Sequence, residues 1–186
     1  MPNLSNGARQ ATIFKDANSV SQPALHPVSY SMALVRILVD GYSLLHSWPE
    51  LAHGKPRHSA AAREELVRVL ALYHDATGTP ISVFFDGSRP RGTPAAEHHD
   101  TVEILFSHAG QTADQMIERV AHRLNAYGEV LAVTDDRAER ETVINMGGTA
   151  SSCLNFIQMV ENTLAELAED IKHHNRHERN RFARPK

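Results

Sequence analysis

The apolar positions of this chain alternate between two periods. From Leu34 to Val39 they run almost unbroken and stop at Asp40 and Gly41. So short a run fits a strand covered on both faces or a segment of buried helix. Leu66, Val69, Leu70 and Tyr73 then recur at helical spacing, predicting a helix from about Ser59 to Ala76. The segment PISVFFDG returns to a strand pattern and again ends in Asp-Gly, and TVEILFS reads as a third short strand. In TADQMIERVAHRLNAYG the positions Ala113, Met116, Ile117, Val120 and Leu124 form the stripe of a second helix. EVLAVTDD is a fourth strand, closed once more by acid, and RAERETVINMGG a short helix stopped by Gly147 and Gly148. A last helix is expected from about Ser152 to His173, with Phe156, Val160, Leu164, Leu167 and Ile171 facing inward.

Strands alternating with helices imply right-handed crossovers and hence an α/β fold, a three-layer α/β/α sandwich around a mainly parallel sheet. Residues 1–31, rich in Ser, Asn, Ala and Pro without sustained period, read as a disordered extension. Met32, just before the first strand, is the expected natural start, or else the leader is dispensable. The folded domain is expected over 32–174, followed by a basic tail at 175–186.

Composition narrows this picture. The chain has 186 residues, 41% of them hydrophobic, enough for one well-buried domain. No apolar segment is long enough to span a bilayer and the first thirty residues lack a secretory core, so the expected address is the cytoplasm. Cys153 is the single cysteine, which excludes an intramolecular disulfide framework and a zinc ribbon; it reads as a small apolar residue near a helix start. The formal net charge of −3 gives no general attraction to nucleic acid, but Lys172, Arg176, Arg179, Arg181, Arg184 and Lys186 crowd the end against Glu178 alone. Such a tail suits phosphates as well as it suits solvent.

The chemistry lies in the carboxylates. Sites of open parallel sheets form beyond the carboxyl ends of the strands, and Asp40, Asp86 and the pair Asp135/Asp136 all stand at such ends. One such Asp is ordinarily a cap or a turn former; the recurrence points to a shared site. In QTADQMIE, Thr112 and Gln115 have capping-box spacing, which puts Asp114 in the first helical turn with Glu118 on the same face. Converging carboxylates repel one another unless a cation is present. All-oxygen ligands select Mg²⁺ or Mn²⁺, ions that activate water and stabilise in-line displacement at phosphorus.

The succession ILVDGYSLL, VFFDG, VEILFS…GQTADQMIE and AVTDDRAE resembles the YacP-like branch of the NYN domains, nucleases of PIN-like fold, over about Leu34 to Ser152. The resemblance implies a Mg²⁺- or Mn²⁺-dependent ribonuclease and, for bacterial members, an endonuclease acting on mRNA, in some cases at the ribosome. It matches Asp40 to the first-strand Asp and Asp86 to the second-strand Asp. Asp114 and Glu118 match the acids of the TAD helix, and Asp136 the Asp closing the fourth strand. On this reading Asp40, Asp114 and Asp136 hold the metal, with Asp86 and Glu118 as a further ligand or a water-orienting base. Relatives usually read D-G-Y-N, so Ser43 stands in place of Asn; Gln115 replaces a frequent acid, and Asp135 stands where Ser is common.

Arg89 and Arg91, just beyond Asp86, are candidate phosphate holders with Ser43 beside the site. His46 and Trp48 follow the first strand, where Trp48 offers either a stacking face or a loop anchor. His98, His99 and Asp100 are contiguous, a poor arrangement for one ion. Two functions therefore follow: an endoribonuclease acting on single-stranded RNA, or an RNA- or ribosome-binding module that keeps the fold with little catalysis. An aspartyl-nucleophile phosphatase needs a second Asp where Tyr42 stands.

Overall fold

Strands that are apolar on both sides need cover on both sides, and the sheet is arranged accordingly. The computed structural model describes residues 34–87, 97–99, 101–108 and 110–182. Within them β1 (Leu34–Asp40), β2 (Ile81–Phe85), β4 (Val102–Phe106), β5 (Glu129–Val133) and β6 (Thr149–Ser151) pair in parallel. A short β3 (Glu97–His99) joins the edge antiparallel, giving the order β3-β4-β2-β1-β5-β6. Strand alternation sends Ile37, Val39, Ile81, Val83 and Phe85 to one face, packed by α1 (Gly41–Ser47), α2 (Ala60–Thr77) and α5 (Cys153–Phe182). Leu38, Phe84, Val130 and Ala132 go to the other, beneath α3 (Ala113–Leu124) and α4 (Arg137–Asn145). The expected α/β sandwich is thus the observed one.

Topology then fixes where a site can form. The chain leaves central β1 through α2 toward β2 and β4, and returns through α3 to the other side of β1 at β5 and β6. The order reverses between β1 and β5, and beyond their carboxyl ends lies the crevice that such a reversal opens. Asp40 stands at one lip and Thr134 to Asp136 at the other.

Several elements depart from the sequence reading. α1 starts directly after Asp40, followed by a single 3-10 turn at Pro49–Ala52, because Asp40 caps it and Leu44 and Leu45 are buried beneath it. Trp48 is buried in the same layer as a loop anchor, while His46 stays exposed. β3 and β6 have three residues each, too short to show a period. α5 runs past His173 to Phe182, and Leu167 and Ile171 do not face inward: they are 37% and 53% exposed, because the helix outruns the sheet and its core ends at Leu164. Local pairs such as Glu169–Lys172 and Glu178–Arg181 support the projecting part. The leader with Met32, the loop bearing Arg89 and Arg91, Asp100, the side chains of His98 and His99, and residues 183–186 lie outside the described residues. No described helix is long and apolar enough to cross a membrane.

Gly41 is a packing requirement. A Cβ there would run into the Phe85 ring, itself fully buried, stacked on Phe106 and edge-on to Tyr42. Gly41→Ala therefore has to displace Phe85. Overpacking of this kind is expected to lower stability by about 1–3 kcal/mol, read as a lower urea midpoint with an unchanged m-value.

Candidate active site

Asp40 ends β1 and caps α1 in one move. Its Oδ1 accepts the backbone N–H groups of Tyr42 and Ser43 at 3.0 and 3.1 Å, and its Oδ2 accepts the Ser43 hydroxyl at 2.6 Å. These bonds satisfy the free donors of the helix start and fix the carboxylate's rotation. Ser43 therefore acts on Asp40 itself.

The same device recurs on the neighbouring strands. Asp86, exposed at the end of β2, accepts the Ala113 N–H at 2.6 Å and so ties that strand to the start of α3. The predicted capping box is present: Thr112 accepts from the Gln115 N–H at 3.3 Å, and the Gln115 side chain accepts from the Thr112 N–H at 3.4 Å. Asp136 caps α4, its Oδ1 accepting from Ala138 at 2.7 Å and Glu139 at 3.3 Å. The caps bring the first turns of α3 and α4 to the crevice, Asp114 on one and Glu139 on the other.

The acids that converge are Asp40, Asp114 and Glu139, each offering a carboxylate oxygen within 4.8 Å of the other two. Glu139 thus occupies the third place that the sequence reading gave to Asp136. Asp136 lies close enough to act on both Asp114 and Glu139 through its charge, and Asp86 likewise acts on Asp114. Glu118 stands one turn farther along α3, half-buried and outside the converging trio. Asp135 turns elsewhere: Oδ2 accepts the Ser47 hydroxyl at 2.6 Å and Oδ1 the Cys153 N–H at 2.9 Å, linking α1 to the start of α5. Burial raises the Asp135 carboxyl, but the bonds from Ser47 and Cys153 and the Arg140 charge bring it below the usual carboxylate range. Cys153 is buried, as expected of a small apolar residue.

Glu139 did carry a signal. It follows the capping Asp136 by three residues and precedes buried Val143 by four, so it is an acid on the inward stripe of its helix. It is only 3% exposed, and neither carboxylate oxygen has a hydrogen-bond partner among the described residues. Carboxylate oxygens this close together could be gathered by side-chain rotation on one hard divalent cation, which Asp40, Asp114 and Glu139 would then hold. The donor set and the unpartnered buried carboxylate both fit a hard divalent cation.

Comparison with known proteins agrees with this architecture. The model of the YacP-like NYN domain matches residues 37–185. The uncharacterized protein YacP of Bacillus subtilis (strain 168) is 30% identical over 126 residues, covering 67% of this chain and 74% of its own length. The crystal structure of Rae1 (YacP) from Bacillus subtilis superposes with a TM-score of 0.66 at 25% identity, over 79% of this chain and 85% of that one. A mutant of the same protein gives 0.65 at 26% identity, over 76% and 84%.

Crowding sets the charge state of the cluster. Burial pushes the Asp114 carboxyl up, and Asp40, Asp136 and Asp86 push the same way, while Glu139 beside it eases the rise. The Glu139 carboxyl is pushed up from 4.5 to about 8, by burial first and then by Asp114, Asp40 and Asp136; the nearby Thr134 hydroxyl opposes this without reaching bonding geometry. An acid whose folded pKa exceeds its unfolded value destabilises nothing below the unfolded pKa. Its penalty grows as pH rises from 4.5 to about 8 and is constant above. At about 1.4 kcal/mol per unit, the whole window is worth at most roughly 5 kcal/mol. Glu139→Gln is therefore expected to stabilise the metal-free protein more at pH 8 than at pH 5. Thermal melts in EDTA at both values check this; an equal effect at the two would show that Glu139 ionises normally.

Proposed function

Because the chain belongs to the YacP-like NYN domain family, whose members are generally PIN-like nucleases, we propose that it is a metal-dependent endoribonuclease that hydrolyses single-stranded RNA. The convergence of Asp40, Asp114 and Glu139 in the crevice between β1 and β5 carries this reading. A Mg²⁺ or Mn²⁺ ion bound there would supply water of lowered pKa and neutralise charge at phosphorus.

The residues of the chain have separable roles. Asp40 is the most firmly held member, since three hydrogen bonds leave its carboxylate one orientation. Asp114 and Glu139 sit in the first turns of helices, where the free N–H groups favour negative charge and temper the repulsion among them. Asp136 and Asp86 hold those helix starts in place and deepen the negative field that attracts a cation. Glu118, on the same face as Asp114, is the candidate for orienting the attacking water. Attack on the phosphodiester would leave a 5′-phosphate and a 3′-hydroxyl. An mRNA substrate met at the ribosome is the finer expectation that the family supports.

Asp40→Asn keeps the cap acceptor at Oδ1 but removes the charge, so the fold is expected to persist while cleavage falls at least a hundredfold. A 5′-labelled single-stranded RNA incubated with Mn²⁺ or with EDTA is the assay. Cleavage that survives both EDTA and Asp40→Asn would sink the reading, and RNA binding without any cleavage in Mn²⁺ would favour a binding module instead. Since a protonated Glu139 must release its proton to bind a cation, the thermal shift produced by Mn²⁺ is expected to grow between pH 6 and pH 8. A shift independent of pH, together with a Glu139→Gln effect in EDTA that does differ between pH 5 and pH 8, would remove Glu139 from the ligand set.

A further inference from the structure

One flank of α3 borders an open groove of about 620 Å³ that the acidic cluster does not use. Its floor is apolar, built from Phe84 and Leu105 of the sheet and Met116 and Val120 of α3. At about 100° per residue, Met116, Val120, Arg119 and Arg123 lie on the side of α3 away from Asp114 and Glu118. The groove follows the helix for about 18 Å, and at its upper end Gln111 adjoins Thr112, the cap of the turn that carries Asp114.

The rim has a particular chemistry. Arg36, at the lower end, is engaged by Ser82 at 2.8 Å and Glu103 at 3.1 Å and brings no free charge. Arg119 and Arg123, exposed and one turn apart, have no carboxylate within ion-pair distance among the described residues. By contrast Arg68, Arg137 and Arg181 each pair with an acid three or four residues away. Tyr127, four residues beyond Arg123, is 79% exposed. Two unpaired guanidinium groups in line with a bare aromatic ring over an apolar floor match the alternation of phosphate and base in a single strand. A duplex keeps its bases stacked and cannot use the ring or the floor.

We propose that this groove binds the single-stranded RNA flanking the scissile bond, with phosphates on Arg119 and Arg123 and a base stacked on Tyr127. The strand would then pass over the start of α3 to reach Asp114. That path rests on the nuclease reading, whereas the binding itself does not.

The test is fluorescence anisotropy of the full chain with a labelled twelve-nucleotide oligouridine in EDTA, over a series of salt concentrations. Arg119→Ala/Arg123→Ala is expected to weaken binding and to lower the slope of log affinity against log salt by about 1.4, at about 0.7 per phosphate. Tyr127→Ala is expected to weaken binding about five- to a hundredfold while leaving that slope unchanged. Arg68→Ala, on the opposite face of the sheet, should alter neither. All of these side chains are exposed, and unchanged melting temperatures will show that the variants fold. No binding by the native chain, affinity and slope untouched in the double variant, or equal loss in Arg68→Ala would each overturn the proposal. Failure of the nuclease reading looks different: no cleavage in Mn²⁺ while binding stays dependent on Arg119 and Arg123.

Discussion

The site depends on one reciprocal interaction: strand-end carboxylates accept the free N–H groups of helices that begin just beyond them. Asp40 does this for α1, Asp136 for α4 and Asp86 for α3. Each helix start is satisfied by an acid, and each acid is held by a helix start. Without the caps, the first turns would lose both their donors' partners and their direction, and Asp114 and Glu139 would have no reason to meet. The arrangement also accumulates negative charge in one crevice, opposed only by the dipoles of short helices and the bonds already made. A buried Glu139 without a hydrogen-bond partner among the described residues marks where that opposition falls short.

The sheet makes the convergence inevitable once the caps exist. Parallel strands deliver their carboxyl ends to one edge, and the reversal of order between β1 and β5 opens a gap that neither neighbouring connection fills. Acids on β1, β2 and the β5–α4 turn therefore reach one place although nearly a hundred residues separate Asp40 from Asp136. The same geometry leaves the β2 and β4 side of the α3 layer thinly covered, since α3 and α4 both lean toward β1, β5 and β6. An acidic crevice and an open groove are thus two results of one asymmetric packing.

What was legible in the sequence follows from how far each interaction reaches along the chain. Strands covered on both faces announce themselves as apolar runs, and the acids that follow them are adjacent in sequence, so the placement of Asp40, Asp86 and Asp136 at strand ends is legible there. The Thr112–Gln115 box is local and was read correctly. α1 was missed because its start coincides with the acid that ends β1 and its length is only seven residues. Glu139 was missed because a charged residue on an inward stripe contradicts the period that defines the stripe, and only the fold supplies the acids that explain it. The apolar period of α5 misled in the opposite sense: it continues through Leu167 and Ile171, but the sheet does not extend to meet them.

The three departures from the family motif have a common physical outcome. Ser43 has a single hydroxyl proton where Asn has two amide protons, and that proton is committed to Asp40 Oδ2 at 2.6 Å. Ser43 thus supplies a bond that orients Asp40 and has no second proton to offer. Gln115 loses an acid's charge but retains the acceptor oxygen needed for the box, so the direction of α3 and the place of Asp114 are preserved. Asp135 adds a charge, yet both its oxygens are held by Ser47 and Cys153 on the far side of the turn, where it ties α1 to α5. None of the three alters the members of the trio or the caps that gather it. The negative field over the crevice is consequently set by Asp40, Asp86, Asp114, Asp136 and Glu139, and burial and mutual repulsion push the carboxyls of Asp114 and Glu139 toward their protonated forms.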